Sequence, residues 1–362
     1  MDASVEDYRF FPYRVIHAGA NPYDFLYNPL QLENLQITYK YADEMHTAAL
    51  ADFVVSTGST SFIVVRDGIV VYEQYANGNG RNSTNTSFSA AKSLVSLMIG
   101  AAIDDGYILS HNQSIADFIP EFENTDMANI TIRDLLLMRS GIYYEETGFL
   151  CFRHDAYTYW MPDLRRLALN HKRTTDRHDG RFHYNNYNPL LLGIILERAA
   201  GVPVSEYFER TFWQPIGANY DASWSLDSIR SGFEKMESGF NFRSIDFAKI
   251  GVVALNNGYF NGNQIISQEW LEKSIVTDFP VNNDEYIGTF LEGLNIAYGY
   301  MWYSRLCKLG GVDFWAMGRF GQFLYISPAN NVVIVRTGST TRIDSFEFSQ
   351  VLANIARYIA IY

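Results

Sequence analysis

Two short groupings in this chain are of the right types and spacing for acyl-transfer chemistry. The first is Ser89-Ala90-Ala91-Lys92, where a polar loop rich in Asn, Ser and Thr (77–87) runs into an apolar segment, Leu94 to Ala102. On a helix, residues i and i+3 share a face, so a lysine amine meets a serine hydroxyl at this spacing. Lys92 is surrounded by Leu, Val, Met, Ile and Ala. Loss of water disfavours an ammonium ion and makes such a lysine a candidate base. A serine hydroxyl is a weak nucleophile until a base takes its proton. A helix start also offers unpaired N–H groups and the positive dipole end to an oxyanion. The second grouping is Phe182-His183-Tyr184-Asn185-Asn186-Tyr187-Asn188, just ahead of an apolar run. Beside a cationic lysine, Tyr184 offers a phenol able to relay a proton, and Asn186 a polar clamp two residues on. Plainer roles exist for each: Ser89 as a helix N-cap, Lys92 reaching to water, Tyr184 as a buried phenol with one partner. One Ser-x-x-Lys is expected by chance in a chain of about this size, and this chain has only the one. Tyr75-Ala76-Asn77 repeats the Tyr-x-Asn spacing but ends a hairpin upstream, and reads as structural.

The elements that must hold these groups follow from hydrophobic periodicity and turn residues. Residues 1–50 are aromatic and irregular, and read as an arm draped over the rest. Phe62–Arg66, Asp67-Gly68 and Ile69–Tyr75 form a hairpin by the Asp-Gly turn and its β-branched flanks. The Ser89 helix stops at Asp104-Asp105-Gly106. From Tyr107 to Gly293 the pattern is mostly helical. It includes a helix from Thr131 to Met138, a Tyr/Trp loop from Tyr143 to Trp160, a helix from Asn188 to Gly201, and one capped by Ser244 that runs to Leu255. Strand patterns return at 296–303, 312–317, 322–327 and 331–337, with a turn at Pro328–Asn331 and a closing helix from Phe346 to Ile361. Strands at both ends of a helical middle predict an α+β fold, with an antiparallel sheet built from both chain ends and a large helical insertion. The expected division is an arm at 1–50, a sheet unit from 51–106 and 294–362, and a helical unit at 107–293, with the site between the last two.

Composition narrows the function classes. Hydrophobic residues make up 48% and charged residues 19%, as in a globular protein, and the 15% aromatic share favours aromatic-lined clefts. A net charge of −12 argues against a nucleic-acid or anionic-membrane partner. The basic stretch from Leu164 to His183, with six Arg or Lys, reads as a solvated face. Cys151 and Cys307 are the only cysteines, which gives no disulfide framework and no Cys-x-x-Cys site, and leaves their pairing open. The acidic start lacks the apolar run of a signal peptide, and no stretch is long and apolar enough to cross a bilayer. Alternative serine chemistry finds little support, with no Gly-x-Ser-x-Gly elbow and no His-Glu-x-x-His for zinc; no cofactor is expected.

The two groupings and their surroundings resemble the serine β-lactamase and penicillin-binding-protein superfamily. Within it they are similar to the class C-like branch that includes esterases and 6-aminohexanoate-dimer hydrolases. Ser-x-x-Lys is followed 95 residues later by Tyr-x-Asn. The segments Thr131–Ile142, Asn186–Arg198, Ser238–Gly251, Asn257–Ser267 and Tyr298–Trp302 resemble the family in order and spacing, over roughly residues 55–360. The resemblance implies a β-lactamase/transpeptidase-like α/β/α sandwich and a metal-free serine hydrolase. Ser89 would be the nucleophile, Lys92 its base, Tyr184 the proton relay, and Asn186 a clamp on the substrate amide or on Lys92. The family's third motif, Lys-Thr-Gly or a His variant, is here Ala316-Met317-Gly318 followed by Arg319-Phe320-Gly321-Gln322. By resemblance, the N–H of Arg319 after Gly318 pairs with that of Ser89 at the oxyanion. The missing cation points away from β-lactams and D-Ala-D-Ala peptides, the alternatives within the family, and towards small esters or linear amides. A catalytically quiet binding member of the fold is the rival of another class, and the intact Ser, Lys and Tyr speak against it. Family members are usually exported, so an envelope or extracellular location is favoured. Monomer and homodimer both stay open.

Overall fold

The computed structural model describes residues 3–145, 153–175, 180–275, 286, 288–307 and 310–361. The first fifty residues contain strands as well as irregular chain: β1 (Tyr13–Ile16), β2 (Leu26–Tyr27), and a hairpin of β3 (Gln36–Tyr41) and β4 (Glu44–Ala49). Helix α1 (Leu50–Ser56) leads to β5 (Ser59–Arg66) and β6 (Ile69–Tyr75). Asp67 and Gly68 between them have φ of 52° and 75°, the left-handed pair a two-residue hairpin turn needs. Strand β7 (Asn85–Thr86) precedes a single 3₁₀ turn, Phe88–Ala90, and then α2 (Ala91–Asp104).

The middle of the chain supplies α3 (Ile132–Leu136), α4 (His154–Trp160), α5 (Leu164–Asn170), α6 (Tyr187–Ala200) and α7 (Val204–Phe208). Then come β8 (Ala222–Ser225), β9 (Phe240–Phe242), α8 (Ser244–Leu255), the hairpin β10 (Tyr259–Phe260) with β11 (Asn263–Gln264), and α9 (Gln268–Ser274). Thr131 and Asp134 close a reciprocal capping box at the start of α3, and Gly201 ends α6 in the left-handed conformation. Ser244 does not cap α8. Arg243 holds the N-cap position, and Ser244 Oγ instead accepts from Ser61 Oγ (2.6 Å) and Asn85 Nδ2 (3.2 Å), tying the helix to β5 and β7.

The C-terminal quarter forms β12 (Ala297–Tyr298), β13 (Tyr303–Leu306), β14 (Val312–Gly318), β15 (Gln322–Ser327), β16 (Val332–Gly338) and α10 (Ser345–Ala360). The single strand expected over 296–303 is two short ones, because Gly299 N–H donates to the Trp302 carbonyl and Met301 turns left-handed (φ 61°). The large sheet runs β12-β13-β14-β15-β16-β5-β6-β2, so strands from the two chain ends meet at β16 and β5. It is antiparallel except at its edge, where the two-residue β2 joins β6 in parallel, so the sheet is mixed. A smaller sheet, β1-β8-β9-β7, stands beside it.

Alternation along β15 and β16 sends Leu324, Ile326, Val333 and Val335 to one face and Phe323, Tyr325, Ile334 and Arg336 to the other. Helix α8 lies on the first face. A Cβ at Gly251 would come within 2.5 Å of Val333 and 2.8 Å of Leu324, so glycine sets that close approach. On the second face Phe348 of α10 stacks on Phe323 (5.5 Å) and meets Phe53 of α1 (5.3 Å). These layers make the α/β/α sandwich. Among the described residues no helix is long and apolar enough to cross a membrane.

Candidate active site

The polar loop before Ser89 is tied down by pairing of Asn85 and Thr86 with Phe242 and Asn241. The chain then turns through Phe88 at φ 45°, a left-handed conformation that is costly for a bulky residue and recurs at functional sites. The buried Phe88 ring faces Tyr159 (6.4 Å, stacked) and Phe320 (5.3 Å, edge-on), which holds the turn in place. Ser89 is left partly exposed at its tip. One helical turn on, Lys92 is 1% exposed, and its Nζ reaches Ser89 Oγ at 2.9 Å and the Glu237 main-chain carbonyl at 3.0 Å.

The Tyr184 ring centroid lies 4.9 Å from Lys92 Nζ, and the ring packs on Phe290 (5.7 Å) and Tyr298 (6.2 Å). Its loop is fixed from behind. His183 N–H donates to the Met138 carbonyl (2.7 Å), and the buried Asn185 donates to the Ile142 carbonyl (2.9 Å) while accepting from Tyr187 N–H (2.9 Å). Asn188 accepts from Ser140 (2.8 Å) and donates to the Leu135 carbonyl (3.2 Å), which fastens α6 to the end of α3. Asn186 gives its amide protons to Tyr144 Oη (2.9 Å) and Thr158 Oγ1 (3.1 Å). Its Oδ1 is buried without a partner among the described residues. Lys92 thus meets the Glu237 carbonyl where a contact with Asn186 was one expectation. His183 is half-buried against Tyr144 (6.2 Å), and burial holds its imidazole below the usual range.

The end of β14 closes the third side. A Cβ at Gly318 would stand 2.1 Å from the Ser87 carbonyl oxygen and 3.1 Å from Ala90 N, so the strand abuts the Ser89 turn and Arg319 follows at its edge. The Arg319 side chain is exposed and lies over the Phe320 ring (5.3 Å). Ala316, where relatives that recognise penicillin are expected to carry a cation, is buried. Much of the basic stretch is engaged locally: Arg165 pairs with Glu197 (2.8 Å), Lys172 donates to the Glu121 carbonyl (2.6 Å), and Arg173 covers Tyr143 (3.8 Å). Arg177 and Cys151 lie outside the described residues, while Cys307 is partly buried, its thiol pushed up to about 12 chiefly by burial. Among the described residues no three His, Cys, Asp or Glu side chains converge as a metal set would. Sequence reasoning missed Glu237, because a main-chain carbonyl leaves no mark in a sequence, and missed its buried neighbour Lys235.

A sequence profile for the family described as Beta-lactamase matches residues 48–347, a span that holds all of these site residues. The chain belongs to the beta-lactamase family. As such it is a serine hydrolase of that family. A curated relative, the 6-aminohexanoate-dimer hydrolase of Paenarthrobacter ureafaciens, is 26% identical over 294 residues, 78% of this chain and 73% of that one. Of the solved structures, "Putative 6-aminohexanoate-dimer hydrolase from Bacillus anthracis" superposes with a TM-score of 0.81 at 23% identity, covering 99% of this chain and 92% of that one. A family VIII carboxylesterase gives 0.63 at 16% identity, covering 83% and 92%. These likenesses establish the shared beta-lactamase-type fold.

Proposed function

We propose that this beta-lactamase-family protein hydrolyses small esters or linear amides through an acyl-enzyme on Ser89. The observation that carries the reading is the 2.9 Å contact from the buried Lys92 amine to Ser89 Oγ, with the Tyr184 ring beside the same amine. With one N–H engaged by the Glu237 carbonyl, the Lys92 amine is placed to take the Ser89 proton. Ser89 Oγ then attacks the substrate carbonyl carbon, and Tyr184 hands a proton to the departing oxygen or nitrogen. The Tyr184 phenolate left by that transfer takes a proton from water, and the water oxygen attacks the carbonyl of the Ser89 ester. As the C–Oγ bond breaks, Lys92 returns its proton to Ser89 Oγ and the acid leaves. The N–H groups of Ser89 and Arg319 are the proposed oxyanion donors, and the unpartnered Asn186 Oδ1 the acceptor for a substrate amide N–H. Relatives named for hydrolysis of the 6-aminohexanoate dimer support the linear-amide side, and the carboxylesterase supports the ester side.

Substrate class turns on Ala316. A fixed cation gives a substrate carboxylate charge-assisted hydrogen bonds worth about 1.5–3 kcal/mol each, and an alanine supplies none. A β-lactam or D-Ala-terminated peptide therefore loses roughly ten- to hundredfold in binding, whereas a neutral short-chain ester loses nothing. The test compares kcat/KM for p-nitrophenyl butyrate, a short linear amide and nitrocefin, together with fluorophosphonate labelling. Ser89→Ala is expected to abolish turnover and labelling, and Tyr184→Phe to lower kcat by about 10²-fold. Efficient nitrocefin turnover by the unmodified protein would replace this reading with a true β-lactamase.

A further inference from the structure

The N-terminal arm, which precedes the span matched by the family profile, is joined to Lys92 by a chain of contacts that are part-buried at Asp7 and buried from Lys235 onward. Asp7 Oδ2 accepts from Ser4 N–H (2.9 Å) and from Tyr159 Oη (2.7 Å). The Tyr159 main-chain carbonyl accepts from Lys235 Nζ. Lys235 is 1% exposed, with its ammonium 4.4 Å from the Phe11 ring centroid, 4.3 Å from that of Tyr159, and 3.3 Å from Glu237 Oε1. Glu237, equally buried, accepts from Ser238 Oγ (2.7 Å), and its main-chain carbonyl receives Lys92 Nζ.

Stability alone does not account for this arrangement. Taking two charges out of water costs several kcal/mol each, and apolar residues of equal volume are often as stable or more so. The aromatic rings offset part of that cost, and one of the two belongs to the arm. The pair does have a geometric consequence. Residues 235–239 form a tight turn in which the Lys235 carbonyl takes Ser238 N–H (3.1 Å), Gly239 N–H (2.7 Å) and Trp224 Nε1–H (3.0 Å). The ion pair spans the same turn and ends at the residue whose carbonyl meets Lys92.

We infer that the Lys235–Glu237 pair, sealed by the arm through Phe11 and Asp7, is a positioning device that holds the Glu237 carbonyl on Lys92 and so aims Lys92 at Ser89. Lys235, Glu237 and Phe11 are positioning residues that act through Lys92. The inference rests on the reading of Lys92 as the base for Ser89. A displacement of about 1 Å at a reacting group costs on the order of 10²-fold, so a small rotation of one peptide is enough to matter.

The test uses the full-length chain as Lys235→Met, Phe11→Ala and Phe11→Tyr. Fluorophosphonate labelling counts active sites, and p-nitrophenyl butyrate gives kcat per labelled site and KM. Lys235→Met and Phe11→Ala are expected to lower kcat per site about 10- to 100-fold with KM unchanged, and Phe11→Tyr, which keeps the ring, to restore it. Fewer sites at full kcat per site would mean a merely structural role and overturn the inference. Crystal structures of the wild type and Lys235→Met give a readout that needs no substrate. A Lys92 Nζ–Glu237 carbonyl distance beyond about 3.5 Å in the variant supports the device, and an unchanged contact overturns it. If the wild-type protein neither labels at Ser89 nor turns over substrate, the proposed function fails, and the structures still decide the positioning.

Discussion

At Gly318 the absence of one methyl group decides whether β14 can lie against the Ser89 turn. The nearest atom to a Cβ there is a main-chain oxygen, Ser87 O at 2.1 Å, which cannot swing aside as a flexible side chain would. Gly318→Ala must push the strand end away from the turn that carries Ser89. The expected outcome is a fall in kcat of about 10²-fold, from displacement of the proposed oxyanion donors, with a loss of about 1–3 kcal/mol of stability from overpacking. Active-site titration with steady-state kinetics reads the first, and urea unfolding the second. Wild-type kcat in Gly318→Ala would show that the close approach has no part in the chemistry. The same scale explains Phe88: its strained φ is held by ring contacts with Tyr159 and Phe320, so the strain is offset by packing next to the proposed nucleophile.

Among the elements, the turn between β14 and β15 depends on an arginine from β16. Arg336 is fully buried and spreads its donors over Ser59 Oγ (2.8 Å) and the carbonyls of Gly321 (2.8 Å), Phe320, Thr57 (2.8 Å) and Thr340 (2.6 Å). Burial draws its pKa down to about 9, which still leaves it charged at neutral pH. One guanidinium thus links the start of β5, the 318–322 turn and the loop after β16. Removing it leaves several buried carbonyls without a donor, each costing about 1–3 kcal/mol. Arg336→Met is therefore expected to destabilise the fold by at least about 3 kcal/mol in urea unfolding, and Arg336→Lys not to rescue it, because an ammonium cannot match the planar fork. A loss below about 1 kcal/mol in Arg336→Met would show that water or a rearranged loop satisfies those carbonyls.

For the molecule as a whole, the histidines behind the candidate site contribute to how stability changes with pH. His154, His171 and His183 are partly buried, and burial holds each imidazole below its usual range. His171 stacks on Tyr187 (4.2 Å) and His154 stands 5.3 Å from His171, in the wall that carries Tyr144 and Asn186. In the unfolded chain the same rings protonate near about 6.5, whereas the folded protein keeps them neutral to lower pH. Their contribution is complete above about 6.5 and is lost as the pH falls below it. The urea midpoint is expected to drop between pH 7.5 and 5.5, and to drop less in His171→Phe. Glu121, held at about 2 chiefly by its hydrogen bond from Arg198, loses its contribution only in a separate, more acid window. A midpoint that stays flat or rises as the pH is lowered to 5.5 would refute the histidine account.

Those features whose information is local could be read directly from the amino-acid order. Ser89 and Lys92 are legible because a helix brings i and i+3 together, and Asp67-Gly68 because few residues accept two left-handed positions. Continuous β-branched and aromatic runs in Phe62–Tyr75 and Gln322–Thr337, broken by turn residues, mark the strands of a sheet drawn from both chain ends. Tyr184, whose ring the fold sets beside the Lys92 amine, stands out in the sequence by its type and its place before a helix. Tertiary structure alone decided the rest, because the partners are distant in sequence and often main-chain atoms. Nothing local makes Glu237, 145 residues beyond Lys92, the donor of the carbonyl that Lys92 meets. Nothing local makes Asn185 the amide that pins the tyrosine loop while Asn186 keeps an unpartnered oxygen. The parallel edge strand β2, the close approach at Gly318 and the Phe11–Lys235 contact likewise depend on how layers pack, since every residue has a carbonyl and only the folded chain chooses which one faces a buried amine.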